Sequence, residues 1–540
     1  MTAAVLPLLE FTPPTIDYVR LLPFLIVIAA ACLGVVVEAF VRRTWRHEVQ
    51  VGLALVALVA SGAAIVSGWG SDSLAVVDPI GPDQPVGSVM VDGPTQVFWL
   101  MLVLFALLAV CLMAERRVYA GRNAFAPMAA AIPGSQAEAE ADQASLEHAE
   151  VFPLALFSLS GMMLFVAAND LLLLFVALEV LSLPLYVLAA LARHRRLASQ
   201  EAALKYFLLG AAASAIFLFG CALLFAYAGS FDFDLIALRY DQGAAADRLL
   251  WAGLGLVLVG LLFKIGAVPF HSWAPDTYQG APTPVTAFMA VCTKIAAVAA
   301  LLRLLFVALG AARWTWQPII AGVAVVTMLV GPVLGIVQSN IKRLLAYSSI
   351  AHAGFLLTGL AGALTVQSGL AADQLGTVAS AGFYLMAYGL ATIGCFAAVT
   401  LVQSQGREVT ELSAWAGLGR RHPWFGLVML VCLLSLAGIP LTAGFTGKLA
   451  VFSVAWRGGY WWLVLVAVLA AVVAVYVYVR VLVLLFSRPA SDQVEVKLPG
   501  PATAVVLTVT VIGSLAFGLV PGPLADLLAQ SSTFLRSVHN

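Results

Sequence analysis

Charged side chains are scarce in this chain of 540 residues. They make up 10% of the sequence, while 62% of the residues are hydrophobic and the mean hydropathy is +1.00. A soluble domain carries about a quarter charged residues, so a soluble enzyme is excluded. The formal net charge is zero and no basic tract occurs, which excludes a nucleic-acid-binding protein. This composition predicts an all-α polytopic membrane protein.

Cysteine is also scarce and has no metal-binding pattern. Its six residues stand singly in apolar runs: Cys32, Cys111, Cys221, Cys292, Cys395 and Cys432. No CxxC or Cys/His spacing occurs, so neither an iron–sulfur cluster nor structural zinc is indicated. No dinucleotide-binding fingerprint occurs either. We therefore expect no cofactor and no metal in this chain.

Lysine is the rarest cation, with six residues against 22 arginines. Four lysines lie inside long apolar segments and two in polar loops: Lys205, Lys264, Lys294 and Lys448 in the former, Lys342 and Lys497 in the latter. Arginine stays protonated in proteins, whereas a buried lysine can change its charge state. The placement of lysine therefore indicates proton handling within the membrane.

Hydrophobic runs predict fourteen transmembrane helices, since about 20 apolar residues cross a bilayer. They begin near Leu21, Val49, Thr95, Val151, Asp170, Glu201, Leu250, Pro282, Trp314, Arg343, Gly376, Trp424, Tyr460 and Ala502. Arginine and lysine number sixteen in the odd-numbered loops and six in the even-numbered loops and termini. By the positive-inside rule, this alternation predicts cytoplasmic odd loops and both termini outside the cytoplasm.

Two of these spans are predicted to be discontinuous. The seventh, LLFKIGAVPFHSWAPD, contains Pro269, and the twelfth, LLSLAGIPLTAGFTGK, contains Gly438 and Pro440. Proline breaks a helix, and the freed backbone is tolerated in a membrane only where protein or a water-filled cavity satisfies it. Corresponding interruptions predict two inverted five-helix repeats, at about residues 151–306 and 314–486.

The loop over residues 122–150 is rich in alanine, glutamate and glutamine. We expect a cytoplasmic insertion, helical or mobile, within a single transmembrane domain that spans residues 1–540. The residues of this loop suggest no chemistry.

Five ionisable residues are predicted to lie at membrane-interior depth: Glu179, Lys264, Lys294, His352 and Lys448. At 1.5 Å per residue, Glu179 and His352 lie roughly 14 Å along their helices. Such charges cost several kcal/mol unless paired or hydrated, and they mark ion pathways. Glu179 either tunes Lys264 as a charge partner or forms a structural ion pair with it. His352 either relays protons or is hydrogen-bonded in the core.

Other polar residues have more than one interpretation. Lys205 lies four residues after Glu201, so it belongs either to the proton pathway or to an i,i+4 pair near the interface. His271 and Asp276 lie by the inner end of the seventh span and are candidates for proton entry. Arg303, near the outer end of the eighth span, is expected to be an interfacial anchor rather than a proton exit.

Five motifs occur in a fixed order: LEVLSLPLYVLAAL, EAALKYFLLGAAASAIFLFG, LLFKIGAVPFHSWAPDTYQGAPTPVTAFMAVCTKIA, NIKRLLAYSSIAHAG and LAGIPLTAGFTGK. This order resembles the antiporter-like subunit family of respiratory complex I, over about residues 95–490. The resemblance implies a fourteen-helix core with helices seven and twelve broken around the five-residue polar axis. Lys448 fits the N-type pattern, whereas the insertion at 122–150 departs from shorter family members.

The resemblance implies a proton-translocating membrane-arm subunit of NADH:quinone oxidoreductase in the bacterial cell membrane, with no redox site of its own. Its expected partners are the other membrane-arm subunits, the lipid bilayer and protons. FMN, iron–sulfur clusters, NADH and quinone are expected in the complex as a whole. Two alternatives remain: a subunit of a multi-subunit sodium/proton antiporter, and a purely structural subunit with a vestigial axis.

Overall fold

The computed structural model describes residues 16–70, 87–119, 121–128, 130–143, 147, 149–243, 248–363, 375–487 and 494–534. The chain ends, on which the predicted orientation of the termini depends, lie outside the described residues. Within the described ranges the chain is a helical bundle with one small sheet on one face.

The first half contains the helices α1 Tyr18–Phe40, α2 Arg43–Ser67, α3 Gly93–Met113, α4 Gln136–Gln143, α5 Val151–Ala167, α6 Leu171–Ala189, α7 Arg196–Ala228, α8 Phe233–Asp241, α9 Arg248–Ile265 and α10 Trp273–Gly280. The second half contains α11 Thr283–Phe288, α12 Lys294–Arg303, α13 Arg313–Ile336, α14 Ile341–Ala361, α15 Thr377–Leu401, α16 Leu418–Arg421, α17 Pro423–Ala437, α18 Ala443–Arg457, α19 Trp461–Ser487, α20 Pro501–Leu519 and α21 Gly522–Gln530. Two π-helical segments, Met289–Thr293 and Leu304–Ala308, flank α12, and a 3₁₀ turn covers Leu412–Trp415. The strands β1 Val402–Ser404, β2 Arg407–Glu408 and β3 Glu495–Val496 form an antiparallel sheet in the order β2-β1-β3.

Twelve helices in the described ranges are long and apolar enough to cross a membrane. Two further predicted positions hold shorter apolar helices, α5 and α17. The predicted helical membrane architecture is therefore confirmed, whereas the count of fourteen spans and the repeat relationship stay predictions.

The centre of the bundle differs from its edge in burial. In the most apolar stretch, 94% of the residues are buried in each of Thr283–Ala308, α14 and α15, against 28% in α1 and α20. Two of the five predicted axis residues, Lys294 and His352, fall on these central helices. Their side chains are buried and therefore lie away from the lipid.

Small residues bring α13 and α14 close together. A Cβ at Gly331 would lie 2.6 Å from the Ala351 nitrogen, and one at Gly354 would lie 2.5 Å from the Met328 nitrogen. Close approach through small residues is typical of membrane helix pairs. It fixes α14, which carries His352, against its neighbour.

The seventh predicted span breaks after α9. Gly266 adopts φ +78°, and its N–H and that of Ala267 donate to the carbonyls of Phe263 and Leu262. The indole of Trp273 donates to the Phe263 carbonyl at 2.9 Å. Protein groups thus satisfy the backbone freed by the break, as the membrane requires.

The twelfth predicted span breaks between α17 and α18. Gly438 has φ +77°, and its N–H and that of Ile439 donate to the Leu434 carbonyl, each at 3.0 Å. A left-handed residue of this kind ends many helices and is usually glycine. Both interruptions expected from the sequence are therefore present.

Several loops meet on one side of the bundle. The Arg195 guanidinium donates to the Glu408 carbonyl at 2.8 Å, and the Lys342 ammonium donates to the Ala281 carbonyl at 2.7 Å. These contacts join the loop before α7, the turn before α11, the start of α14 and strand β2. We call this side the arginine-rich face, because it carries Arg193, Arg195, Arg196, Arg343 and Arg407.

The insertion packs on the arginine-rich face. Its short helix α4 carries Glu138, which lies 3.2 Å from the Arg196 Nε. The Ala126 N–H donates to the Leu191 carbonyl at 2.8 Å. The described part of the insertion is therefore bound to the loop between α6 and α7.

Candidate functional site

Lys264 lies at the end of α9 in a pocket of aromatic rings. Its side chain is buried, and its Nζ lies 5.2 Å from the Tyr206 ring centroid, 5.5 Å from Tyr186 and 5.6 Å from Phe263. Aromatic faces attract an ammonium group. Among the described residues this Nζ has no hydrogen-bond partner. The surroundings thus accept the charge without fixing it through a hydrogen bond.

Glu179 lies on α6, the helix that also carries Tyr186. Its Oε1 atom is buried and has no hydrogen-bond partner among the described residues. Within the part of the chain that the structure describes, no ion pair within 4.0 Å joins Glu179 to Lys264. The two side chains expected to pair are therefore separate in this conformation, and both retain unused hydrogen-bonding capacity.

Lys294 is the first residue of α12 and follows a π-helical segment. Its ammonium donates to the Ser349 carbonyl at 2.5 Å and to the Ser349 hydroxyl at 2.7 Å. The same Nζ lies 4.7 Å from the centroid of the Tyr388 ring, whose hydroxyl donates to Ser349 Oγ at 2.8 Å. Short π-helical segments are frequent at functional sites, and this one sets where the lysine emerges.

His352 has a hydroxyl partner at each ring nitrogen. Its Nδ1 lies 2.6 Å from the Tyr384 hydroxyl and its Nε2 lies 3.3 Å from the Tyr478 hydroxyl. The Tyr478 hydroxyl is in turn 2.5 Å from Ser348 Oγ. An imidazole with partners on both nitrogens can accept a proton on one side and release one on the other.

Lys448 reaches back across the break between α17 and α18. Its ammonium donates to the carbonyls of Leu436 at 3.1 Å and Ala437 at 2.7 Å. It also lies 5.0 Å from the Phe355 ring centroid. These two carbonyls lie within the last turn of α17, where helical carbonyls lack partners in their own helix. The lysine therefore serves as a side-chain cap.

A small cavity joins His352 to the broken twelfth span. It is lined by His352, Tyr384, Ala387, Tyr388, Ser435, Leu436 and Gly444. Leu436 supplies one of the carbonyls that bind Lys448. The Tyr388 ring, whose hydroxyl bonds Ser349, lies with its centroid 5.2 Å from that of His352, and no hydrogen bond among the described residues joins the two. Adjacent polar groups thus extend from Lys294 past His352 and this cavity to Lys448, without a continuous chain of hydrogen bonds.

The structure places three of the five predicted axis residues in a network of adjacent polar clusters. Lys294 lies with Ser349 and Tyr388, His352 with Tyr384 and Tyr478, and Lys448 with the last carbonyls of α17. No hydrogen bond or ion pair within the described ranges joins Lys264 or Glu179 to these clusters. The predicted axis residues therefore fall into two parts, an aromatic pocket around Lys264 and the polar clusters beyond it.

Neutral hydroxyl groups are the functional candidates that sequence reasoning missed. Ser349 and His352 stand three residues apart on α14, and Tyr384 and Tyr388 stand four apart on α15. Each spacing places both residues on one helical face. Among the tyrosines of α19, Tyr478 makes the contact with His352. Polar residues at helical spacing in apolar runs were the available signal.

Three further candidates lie away from the network. The Lys205 side chain is 45% exposed, and its ammonium lies 2.7 Å from Glu201 and 2.9 Å from Asp276. Asp276 also contacts Arg343 at 2.5 Å. His271 is half-buried in the break of the seventh span, and its Nδ1 has no partner among the described residues. Lys205 and Asp276 thus pair with each other near the surface.

The expectation for Arg303 was wrong. Its side chain has 0% exposure, and its Nη2 lies 2.6 Å from both the Asp92 carboxylate and the Thr95 hydroxyl. Its Nε donates to the Val166 carbonyl at 3.2 Å. Arg303 is therefore a buried residue that links α12 to the start of α3 and to α5. It is not an interfacial anchor.

The fold and the charged interior define an antiporter-like membrane subunit. Residues 168–474 match the family described as "NADH:quinone oxidoreductase/Mrp antiporter, TM", more than half of the chain. NADH-quinone oxidoreductase subunit N of Nocardioides sp. is 51% identical, covering 98% of this chain and 100% of its own. Its counterpart in Cutibacterium acnes is 48% identical over 99% of both chains. The chain belongs to the NADH-quinone oxidoreductase subunit N family.

Two solved structures share the fold. A chain of respiratory complex I from Thermus thermophilus with bound aureothin has a TM-score of 0.73 at 34% identity, covering 94% of this chain and 99% of its own. A chain of the Mrp complex from Dietzia sp. DQ12-45-1b has a TM-score of 0.76 at 20% identity, covering 95% of this chain and 97% of its own. At that identity, the second comparison shows the fold alone.

Proposed function

We propose that this chain is the proton-translocating membrane-arm subunit of a bacterial NADH:quinone oxidoreductase. Protons leave the cytoplasm along an axis formed by Glu179, Lys264, Lys294, His352 and Lys448. Electron transfer from NADH to quinone takes place in other subunits, which hold the FMN and the iron–sulfur clusters. The single observation that carries the proposal is that buried polar side chains and a small cavity line the space from Lys294, past His352, to the Leu436 carbonyl that binds Lys448.

The first step is control of the Lys264 proton by Glu179. A carboxylate close to a lysine favours its charged form, and withdrawal of that carboxylate favours release of the proton. The pocket leaves both side chains free of hydrogen bonds that would have to be broken first. Moving one charge against 100 mV costs about 2.3 kcal/mol, whereas a change of two pKa units supplies about 2.7 kcal/mol. Opening and closing of this pair is thus sufficient for one step.

The second step is transfer from Lys294 to Lys448. The Ser349 and Tyr388 hydroxyls can pass a proton because each is both a donor and an acceptor. His352 receives it between Tyr384 and Tyr478 and passes it across the small cavity. The carbonyls of Leu436 and Ala437 stabilise the charged form of Lys448. The proton then leaves on the outer side.

The proposal includes the setting of the chain. It lies in the bacterial cell membrane with both termini outside the cytoplasm, among lipids and the other membrane-arm subunits. The antiporter-like core spans residues 95–490, with inverted repeats at about 151–306 and 314–486. The arginine-rich face, including the insertion at 122–150, is the cytoplasmic side.

The decisive test is Lys264→Ala in the purified complex reconstituted into liposomes. The proton-to-electron ratio is measured with a pH-sensitive dye during NADH oxidation, and assembly is checked by native gel. We expect a lower ratio in an assembled complex. Lys497→Ala is the matched control, because Lys497 is exposed and pairs only with the neighbouring Glu495 among the described residues. An unchanged ratio in Lys264→Ala contradicts the proposal.

Two other functions predict different results. A purely structural subunit retains full pumping after Lys294→Ala or Lys448→Ala. A sodium/proton antiporter subunit catalyses sodium-dependent proton exchange in liposomes without NADH. The same reconstituted preparation distinguishes all three functions.

A further inference from the structure

A cavity of about 840 Å³ opens on the arginine-rich face and has no place in the proton axis. Its walls come from the insertion, the start of α7, the turn between α10 and α11, and strand β2. Binding sites for small molecules and headgroups typically have volumes of about 300–1,000 Å³. We call this space the insertion cleft, because part of the 122–150 segment closes one side of it.

The lining of the insertion cleft is strongly cationic. Its basic side chains are Arg193, Arg195, Arg196, Lys342 and Arg407, with His194 beside them. The two carboxylates that also line it are Glu138 and Glu408. Glu138 lies 3.2 Å from Arg196, and both oxygens of Glu408 accept from the Thr283 hydroxyl at 2.7 and 2.8 Å. The five cationic side chains outnumber these two carboxylates, so the cleft presents a net positive potential to an entering molecule.

The first turn of α7 adds backbone donors to this charge. The helix is 33 residues long, its N-cap residue Arg195 provides no side-chain cap, and Leu197 and Ala198 line the cleft. The N–H groups of a first turn lack partners in their own helix and favour anions. Arg195 itself adopts φ +62°, a left-handed conformation that is rare for residues with a side chain. This conformation turns the chain so that the helix begins at the cleft wall.

We propose that the insertion cleft binds a phosphate-bearing anion. Arginine binds phosphate oxygens through its fork of N–H groups, and the uncapped helix start supplies further donors. The ligand is either the headgroup of an anionic phospholipid or a soluble phosphate ester, since both present the same chemistry. The described part of the insertion then acts as the wall that completes the site. This proposal does not depend on proton translocation by the axis.

Hydrogen–deuterium exchange of the intact complex tests the proposal. One arm adds inorganic phosphate to the complex in uncharged detergent at low ionic strength. The other arm compares nanodiscs of phosphatidylcholine with nanodiscs that contain phosphatidylglycerol. Amide exchange is followed in peptides that cover residues 132–143 and 193–199, the two sides of the cleft.

The variant carries Arg195→Gln and Arg407→Gln, two exposed arginines of the cleft. The matched control carries Arg42→Gln and Arg420→Gln, two exposed arginines of odd-numbered loops that do not line the cleft. We expect slower exchange in at least one arm, a loss of about tenfold in apparent affinity in the cleft variant, and no loss in the control. Added salt should weaken ligand binding in the wild-type protein and in the control variant.

The outcomes separate the sources of the ligand. Protection by phosphate in detergent assigns a soluble ligand, and protection only in phosphatidylglycerol nanodiscs assigns a lipid headgroup. Exchange that is unchanged in both arms overturns the proposal. Protection that is equal in the cleft variant and the control overturns it as well, because the cleft arginines are then not the binding groups.

Discussion

The Lys448 ammonium lies 2.7 Å from the carbonyl oxygen of Ala437, the last residue of α17. One side chain thus provides a charge for the axis and a cap for the broken helix. In the other break, the Trp273 indole bonds the Phe263 carbonyl, and the Lys264 ammonium has no hydrogen-bond partner among the described residues. Different capping at the two breaks leaves Lys264 unconstrained by hydrogen bonds and Lys448 held in place.

Replacing Lys448 should impair both pumping and stability. In Lys448→Met the carbonyls of Leu436 and Ala437 lose their donor, which costs about 1–3 kcal/mol for a buried unsatisfied group. We expect the proton-to-electron ratio of the reconstituted complex to fall and the apparent melting temperature of the subunit to drop. Lys497→Met should change neither. Full pumping in Lys448→Met would exclude Lys448 from the axis.

Gly438 should be required for the position of Lys448. A Cβ at Gly438 would lie 2.7 Å from Lys448 Cδ and 3.0 Å from its Nζ, whereas a Cβ at Gly459 meets nothing within 4 Å. Both glycines have a positive φ, so alanine costs about 1–2 kcal/mol of backbone strain at either site. Gly438→Ala should therefore lower the proton-pumping rate several-fold, and Gly459→Ala should lower stability alone. Equal pumping rates in the two variants would contradict a role for this contact.

The hydroxyl groups next to Lys294 can be removed without removing the aromatic ring. Tyr388→Phe keeps the aromatic face beneath Lys294 but deletes the hydroxyl that bonds Ser349. Ser349→Ala deletes the other hydroxyl and leaves the backbone carbonyl that also binds Lys294. We expect each variant to slow pumping. The double variant should raise the activation barrier for pumping by no more than the sum of the two single effects. Thr358→Ala, on the same helix and bonded only within it, should pump normally.

Lys205 should be dispensable for pumping. Its side chain is 45% exposed, and its ion pairs with Glu201 and Asp276 are near the surface. Exposed ion pairs contribute about 0–1 kcal/mol. We expect Lys205→Gln to retain the proton-to-electron ratio and to shift the melting temperature slightly. A ratio as low as that of Lys264→Ala would instead place Lys205 in the proton pathway.

The loop before α8 should make stability depend on pH. Burial, with the Asp234 and Asp170 carboxylates, raises the pKa of Asp232 from 3.8 to about 6 against two opposing backbone hydrogen bonds. Because the pKa of Asp232 is raised in the folded state, its contribution to the free energy of unfolding is most favourable below about pH 4. That contribution is lost as the pH rises to about 6. Asp232→Asn keeps an N-cap acceptor. The free energy of unfolding of Asp232→Asn should exceed that of the wild type by about 2–3 kcal/mol at pH 7.5.

Thermal unfolding from pH 4 to pH 7.5 measures this difference. At pH 4 the two proteins should unfold at nearly the same temperature, and the gap should widen between about pH 4 and pH 6 and stay constant above that. Asp526→Asn, at an exposed position of α21, is the control and should show no such gap. A gap of constant size across the pH range would refute ionisation of Asp232 as the cause.

The positions of the helices and of the charged axis follow largely from local sequence. An apolar run near 20 residues long has few alternatives to a helix in a bilayer, and proline with glycine inside such a run breaks it. The observed helix starts lie within six residues of the predicted ones, and both breaks occur where Pro269 and Pro440 predicted them. Depth along a helix likewise identified Lys294, His352 and Lys448 without any knowledge of their neighbours.

Which groups touch was decided only by the tertiary structure. Arg303 and Asp92 are 211 residues apart in the chain, and Lys294 and Ser349 are 55 apart, so no local pattern relates them. Tyrosine and serine are neutral and common, so their place in the network depends on how α14, α15 and α19 pack. The sequence by itself determined that charges lie inside the membrane, because hydrophobicity is a local property. The tertiary structure decided their partners, because a contact between two helices depends on residues that are far apart in the sequence.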